Sequence, residues 1–427
     1  MKRLYILIIC SIVLATTSAQ AVDCSSASTV NSALAAASNG STVTCDSGGT
    51  YTWTSDVTMS SSKYLTFNLN GATIQYGDSN AIFAIEQHAS EINRVTNGVF
   101  TRVNGDGDST DLYTGKLHIN SGLSGSGGGI VLDNITFNNS EGYRVAIEVN
   151  GIGPSLIHSS IFNIIGTAEF IHVTPWGGSD DTGWIETLNF SPGGDAAFYM
   201  EGNTVNGDPW NSNDWVQSYY GGRMVIRFNT ITGDGVKIDT HGNLAYNGRW
   251  WEYYGNDATA ADTGILFCQR GGSGIIFNNT NVQQIIMVEE NDQQDQVGKG
   301  QDFNLYPAYE WDNDEVWMTY NASGCAASGG TWIIRGTHVI TDNGYGLTSG
   351  TSLPATCSEN DGYWKTDAGG NWDTTHGGAN DGALYKCTST DTWTLYYTPL
   401  EYPHPARSEA ASTIIKKIMT FFRRLRG

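Results

Sequence analysis

The chain is 427 residues long, only 15% of them charged, and 52 are glycine. Low charge with many turn formers argues against a disordered chain and for an exported all-β one. Lys and Arg number 22 against 43 acidic residues, a net charge of −21, so no nucleic-acid partner is expected.

Residues 1–21 read as a secretory signal peptide. Lys2 and Arg3 precede the apolar run Leu4 to Ala15, and Ser18-Ala19-Gln20-Ala21 supplies the small residues of a cleavage site. The run is short for a membrane span, which weighs against a retained anchor, and Val22 is the expected start of the mature chain. Six cysteines follow: Cys24, Cys45, Cys268, Cys325, Cys357 and Cys387. An even number in an exported chain suggests disulfides, with Cys24–Cys45 clamping the first segment and Cys357–Cys387 closing a late loop. Cys268 either pairs with Cys325 or is a buried free thiol. Residues 28–37, STVNSALAAA, predict a short amphipathic helix capped by Ser28. The loop 104–111, NGDGDSTD, brings Asp106, Asp108 and Asp111 close together; it is either a weak Ca²⁺ site or a solvated acidic loop.

From Phe198 to Thr280 the chain repeats itself. Short apolar alternations end on Asn203, Asn229, Asn256 and Asn279, spaced by 26, 27 and 23 positions, as expected when one coil of chain is laid on the next. Three residues before each marker stand Met200, Ile226, Tyr253 and Ile276; upstream, Val131 and Ile157 hold the same place before Asn134 and Ser160. Residues i and i+2 of a strand share a face, so this column predicts a continuous core. The next column, Leu132, His158, Glu201, Arg227, Tyr254 and Phe277, suits an outer face. The asparagines suit a repeated tight bend and could stack into a ladder. At Asn97 the column holds Arg94 and the rule fails.

Over roughly Cys24 to Tyr320 this pattern resembles the right-handed parallel β-helix of the pectate-lyase-like superfamily, in its secreted bacterial form. The resemblance implies an all-β solenoid, residues 22–320, with the 28–37 helix covering its open end. It implies no single activity, because that fold carries lyases, hydrolases, tailspikes and adhesins.

The step from Ser160 to Asn203 is 43 positions, so residues 166–195 read as an insertion whose Trp176 and Trp184 either stack on sugars or pack the loop down. Residues 321–407 are rich in Gly, Trp and Tyr and predict short strands with tight turns, the phrase Tyr396 to Pro405 covering the last coil. Residues 408–427 form a tail in which Ile414, Ile415, Ile418, Met419, Phe422 and Leu425 follow helical spacing opposite five Lys and Arg. Such a basic amphipathic helix docks on an anionic envelope or membrane surface, or packs on the acidic solenoid.

The sharpest constellation is Lys237, Asp239 and His241 in GVKIDTHG. Val236 and Ile238 should point inward, leaving the three polar side chains together on the outer face. Arg223 or Arg249 could hold a substrate carboxylate, with Trp215, Arg227, Tyr254 and Arg270 as further contacts. A uronic-acid lyase needs a base, a cation or Ca²⁺ for the carboxylate, and a route for the leaving oxygen; a glycosidase needs paired carboxylates such as Asp234 and Asp239. The structural alternative is a charge ladder of the kind Glu201 and Arg227 suggest. There is no G-x-S-x-G, zinc spacing or P-loop. The expectation is an exported, glycan-interacting β-helix protein, secreted or on the cell surface. If catalytic, a polysaccharide lyase is favoured over a hydrolase; the rival is a non-catalytic adhesin or matrix protein.

Overall fold

The computed structural model describes residues 19–46, 48–76, 82–102, 117–121, 128–138, 146–151, 153–164, 169–174, 192–207, 213–219, 221–233, 236–240, 248–261, 264–287, 306–320 and 334–408. The protein is all-β, built mainly of parallel strands, with one α-helix among the described residues. Through the turn that begins at Trp250, successive turns of chain contribute to three parallel ladders. Arg223–Arg227 joins the first, Thr230–Thr232 the second and Val236–Thr240 the third, and the chain then re-enters the first as Trp250–Tyr254. Strands of the first ladder pair in register with their counterparts one turn later, as in Met200 with Ile226, Ile226 with Tyr253 and Tyr253 with Ile276. This path is compatible with a parallel β-helix. The stack extends beyond residue 320, because Val339–Thr341 still pairs with Ala308–Trp311.

The side chains pointing between the ladders form one core, in which Met200, Ile226, Tyr253 and Ile276 are completely buried as the alternation predicts. The bend between the first two ladders is held by amide side chains. Asn203, Asn229 and Asn256 each donate Nδ2 to Oδ1 of the next asparagine at 2.9–3.0 Å, ending on Asn279, which bonds Asn313 at 2.8 Å. The same Oδ1 atoms accept backbone N–H groups, so the polar atoms of the buried bend are paired.

The register differs from the sequence reading at two turns. Left-handed backbone falls on the residue before each ladder asparagine, Gly202, Phe228, Gly255 and Asn278, whereas at the earlier turns it falls on Asn97 and Asn134 themselves. Those two asparagines therefore occupy the bend and not the ladder. Leu132 pairs with Ile157 and faces inward, and Val131 faces out, the reverse of the expected assignment. The failure at Asn97 disappears too, because Val95 fills the inward place and Arg94 points away.

Helix Ala27–Ala36 buries Val30, Ala33 and Leu34 against the first turns. Its cap is Ser26 rather than Ser28: Ser26 has extended backbone, and its Oγ accepts the Thr29 N–H at 3.2 Å. Cys24–Cys45 and Cys357–Cys387 are both disulfides, which fits an oxidising, extracytoplasmic setting. Cys268 is disulfide-bonded rather than a free thiol. No helix among the described residues is long and apolar enough to cross a membrane. The first strand, Ala19–Val22, pairs with Thr42–Cys45 and straddles the expected processing site.

Residues 347–408 lie along the flank of the large sheet instead of over the last turn. Four strands, Leu347–Gly350, Gly362–Lys365, Ala383–Ser389 and Thr392–Tyr397, form a separate small sheet. Between it and the large sheet is a second core containing Tyr199, Val225, Ile275, Tyr309, Trp364 and Leu384. The strap that follows runs back across successive turns. Tyr397 Oη bonds Glu252, the Leu400 and Glu401 carbonyls accept from Arg227, His404 N–H meets Glu201, and the Arg407 carbonyl accepts from Arg94.

Candidate functional site

Lys237 and Asp239 do share the outward face of strand Val236–Thr240, with Val236 and Ile238 buried beneath them. Their carboxylate and ammonium groups already have partners. Asp239 is 0% exposed and accepts Arg270 Nε at 3.1 Å, a second Arg270 bond through Nη2, and Gln217 Nε2 at 3.3 Å. Lys237 Nζ sits 3.2 Å from Asp239 and 2.6 Å from Asp214, and Gln217 Oε1 accepts Tyr219 Oη at 2.6 Å. Glu148, His172, Gln217, Asp239 and Cys268 follow one another in a single outward column of this ladder. The cluster is thus a cross-turn charge ladder ending in a bidentate Arg–carboxylate pair. A desolvated, fully bonded carboxylate is a poor proton acceptor for a substrate.

The remaining predicted residues, Arg270 excepted, fall elsewhere. Arg270 belongs to this cluster. Arg223 opens strand Arg223–Arg227 of the large sheet and Arg249 immediately precedes strand Trp250–Tyr254; burial, then the neighbouring Arg249, pulls the Arg223 guanidinium down to about 10. The Arg249 guanidinium stacks 5.3 Å from the Tyr306 ring. Trp215 is in the inner core, 5.6 Å from Phe162, because a β-bulge after Asp214 turns it inward. Glu201 and Arg227 pair across adjacent turns at 2.7 Å, as the charge-ladder reading expects, but Arg227 is 0% exposed. Its guanidinium also meets Tyr254 Oη at 2.8 Å and the strap carbonyls, so the supposed solvent face is an interior. Burial lowers the Arg227 pKa, but Tyr254 and Glu201 outweigh that and the net shift is upward. The strand Glu169–Thr174 is a regular member of the third ladder, so the extra sequence begins after Thr174. His241, Asp234, Trp176, Trp184, Asp106, Asp108, Asp111, Cys325 and the 409–427 tail lie outside the described residues. Among the described residues, no group of three or more His, Cys, Asp or Glu is placed to hold a metal ion.

A different site stands where the small sheet meets the large one. A pocket of about 270 Å³ is walled by Phe228, Phe277, Trp311, Trp364 and Trp372. Around them stand Asn278, Asp312, Asp373, His376 and Asp381. The aromatic wall continues the outward column Arg227, Tyr254, Phe277, Trp311, which changes from charged to aromatic along the stack. Tyr254 stacks on Phe277 at 4.7 Å, and Phe277 stacks on Trp311 at 4.5 Å. Trp364 closes over Trp311 at 4.9 Å, and Trp372 is fixed by its Nε1 bond to the Gly382 carbonyl at 3.0 Å. Gly382 has φ +99°, and a Cβ there would meet the Trp364 indole at 2.3 Å, so this turn requires glycine. The polar side is equally ordered. Asp373 holds His376 Nδ1 at 2.6 Å and Thr375 Oγ1 at 2.6 Å, while Asp381 accepts the Asp373 N–H at 2.8 Å. Asn278, Asp312 and His376 are exposed and open the pocket to solvent.

The sequence reading placed the sugar-facing tryptophans in the insertion and did not single out this pocket. The signal was present in the Gly- and Trp-rich run GYWKTDAGGNWD, but its partners Phe277 and Trp311 are far away in sequence. Comparisons with protein-family models, curated proteins and solved structures gave no match to this chain.

Proposed function

We propose that this is an exported glycan-binding protein on a right-handed parallel β-helix of the pectate-lyase-like kind, and that the Phe277–Trp311–Trp364–Trp372 pocket receives a sugar ring. The observation that carries the reading is the convergence of aromatic rings and carboxylates on one solvent-open pocket. Aromatic walls pack against the apolar faces of sugars, and carboxylates accept from their hydroxyls. Three parallel ladders, an amide ladder and a helix packed on the first turns support the scaffold. Paired cysteines and the leader-like residues 1–21 support export.

Binding without catalysis is favoured over a lyase or hydrolase, because Asp239 is buried and held by Arg270, Gln217 and Lys237. The test is titration of the full chain with neutral, uronic and amino-sugar oligosaccharides, followed by tryptophan fluorescence. Saturable quenching that His376→Ala or Asp312→Asn weakens supports the reading; no quenching by any sugar defeats it. Release of unsaturated products or reducing ends would restore the catalytic reading.

A further inference from the structure

We infer that the pocket selects amino sugars carrying a free ammonium group, over neutral and uronic ones. This rests on the glycan-binding reading and adds the ligand's charge. The described residues lining the pocket include three carboxylates, Asp312, Asp373 and Asp381, and neither Lys nor Arg. The one basic side chain, His376, turns its Nδ1 to Asp373 at 2.6 Å. A uronate carboxylate entering here would meet carboxylates and no fixed cation, on a chain whose net charge is −21. A neutral sugar would find the aromatic wall and acceptors for its hydroxyls, but no charge of its own to set against the carboxylates.

An ammonium on the ring does better on both walls. Charge-assisted hydrogen bonds to carboxylate are roughly twice as strong as neutral ones. A cation held against indole and phenyl rings is attracted by their quadrupoles, and here Trp311, Trp364 and Trp372 stand beside the carboxylates. Both oxygens of Asp373 are engaged, by Thr375 and His376, and Asp381 Oδ2 takes the Asp373 N–H. Asp312 is the exposed carboxylate of the three, and its backbone is fixed by an N–H bond to Asp342 at 3.0 Å. We therefore assign Asp312 as the principal ammonium partner, with Asp381 behind it. At about 270 Å³ the pocket lies just under the usual range for small-molecule sites, roughly 300–1,000 Å³, which suits one ring of a longer chain.

The experiment titrates the full chain at low salt with hexamers of glucosamine, N-acetylglucosamine, glucose and galacturonate, and with hexalysine. The glucosamine hexamer should bind at least about tenfold more tightly than its N-acetylated form, the margin of a single charge-assisted contact. That margin should shrink as salt rises. Asp312→Asn should reduce it towards equality by weakening the glucosamine hexamer much more than the N-acetylated one, and Asp381→Asn is a second variant if the first does not fold. Equal binding of the amino and N-acetyl forms overturns the inference and leaves the glycan reading standing. A preference for galacturonate overturns it as well. Hexalysine binding as tightly as the glucosamine hexamer would show that the pocket reads charge and not sugar, which also overturns it. No binding by any sugar removes the reading on which the inference rests.

Discussion

Mild acid should loosen the C-terminal strap, and two histidines set the pH at which it does so. His404 and His158 both lie between the strap and the large sheet, almost wholly buried. Burial, followed by Arg227 and Arg407, pushes the His404 imidazole down from 6.5 to about 3. Burial, then Arg407 and Arg94, pushes His158 to about 3 as well, against the opposing pull of Glu201. Geometry agrees for His404, whose Nδ1 accepts the Ala406 N–H at 3.1 Å and must therefore be unprotonated. Glu201, 0% exposed, holds Arg227, Arg407 and the His404 N–H at the same place.

A base with a depressed folded pKa is neutral in the fold and takes up its proton on unfolding. Its contribution is intact above about pH 6.5, is lost as pH falls, and levels off near pH 3. Each pH unit costs about 1.4 kcal/mol per histidine, so from pH 6.5 to 4.5 the pair removes about 5 kcal/mol. That is comparable to the whole stability of many domains, roughly 5–15 kcal/mol. The assay is urea unfolding at pH 7, 6 and 5 by tryptophan fluorescence, with limited proteolysis of the strap alongside. The double variant His158→Asn/His404→Asn should show a much flatter pH dependence. If it keeps the wild-type slope, protonation of these histidines is not what loosens the strap.

Three further outcomes follow from buried polar groups. Arg227→Ala leaves Glu201 buried with one cation fewer and should cost about 3–5 kcal/mol, with new proteolytic cuts between residues 397 and 408; an effect below 1 kcal/mol would mean the strap does not need it. Asn256→Ala breaks the ladder toward both Asn229 and Asn279 and strands a backbone N–H, so about 2–4 kcal/mol should be lost in urea melts. Asp239→Asn deprives Arg270 and Lys237 of a charge and should cost about 3 kcal/mol or more, yet leave glycan titrations unchanged; a loss of sugar binding without a loss of stability would place the function on the third ladder.

The inward column was legible because asparagine recurs at near-constant spacing and the residues three before it are apolar. The off-by-one at Val131 and Leu132 has a local cause: adjacent positions both suit asparagine, one for left-handed backbone and one for the amide ladder, and a single sequence does not say which is filled. Trp215 was misplaced because nearness in sequence to Lys237 was taken for a shared face, whereas a bulge after Asp214 turns its side chain into the core.

What covers the outer face was harder to read, because the strap that buries Arg227 is some 170 positions away. A clue lay in the strands themselves. Beside the charged column runs a second outward one, in which Val131, Leu156, Tyr199, Val225, Ile275 and Tyr309 are apolar, and Glu252, between Val225 and Ile275, is buried and bonded to Tyr397 of the strap. A strand apolar on both faces is buried on both faces. An arginine set among such neighbours needs a partner layer that satisfies it, and here backbone carbonyls of the strap do so. Where that column turns from Arg227 to Phe277 and Trp311, the layer departs from the sheet far enough to leave the pocket. The same apolar face therefore anchors the cover at one end and forms the wall of the candidate site at the other.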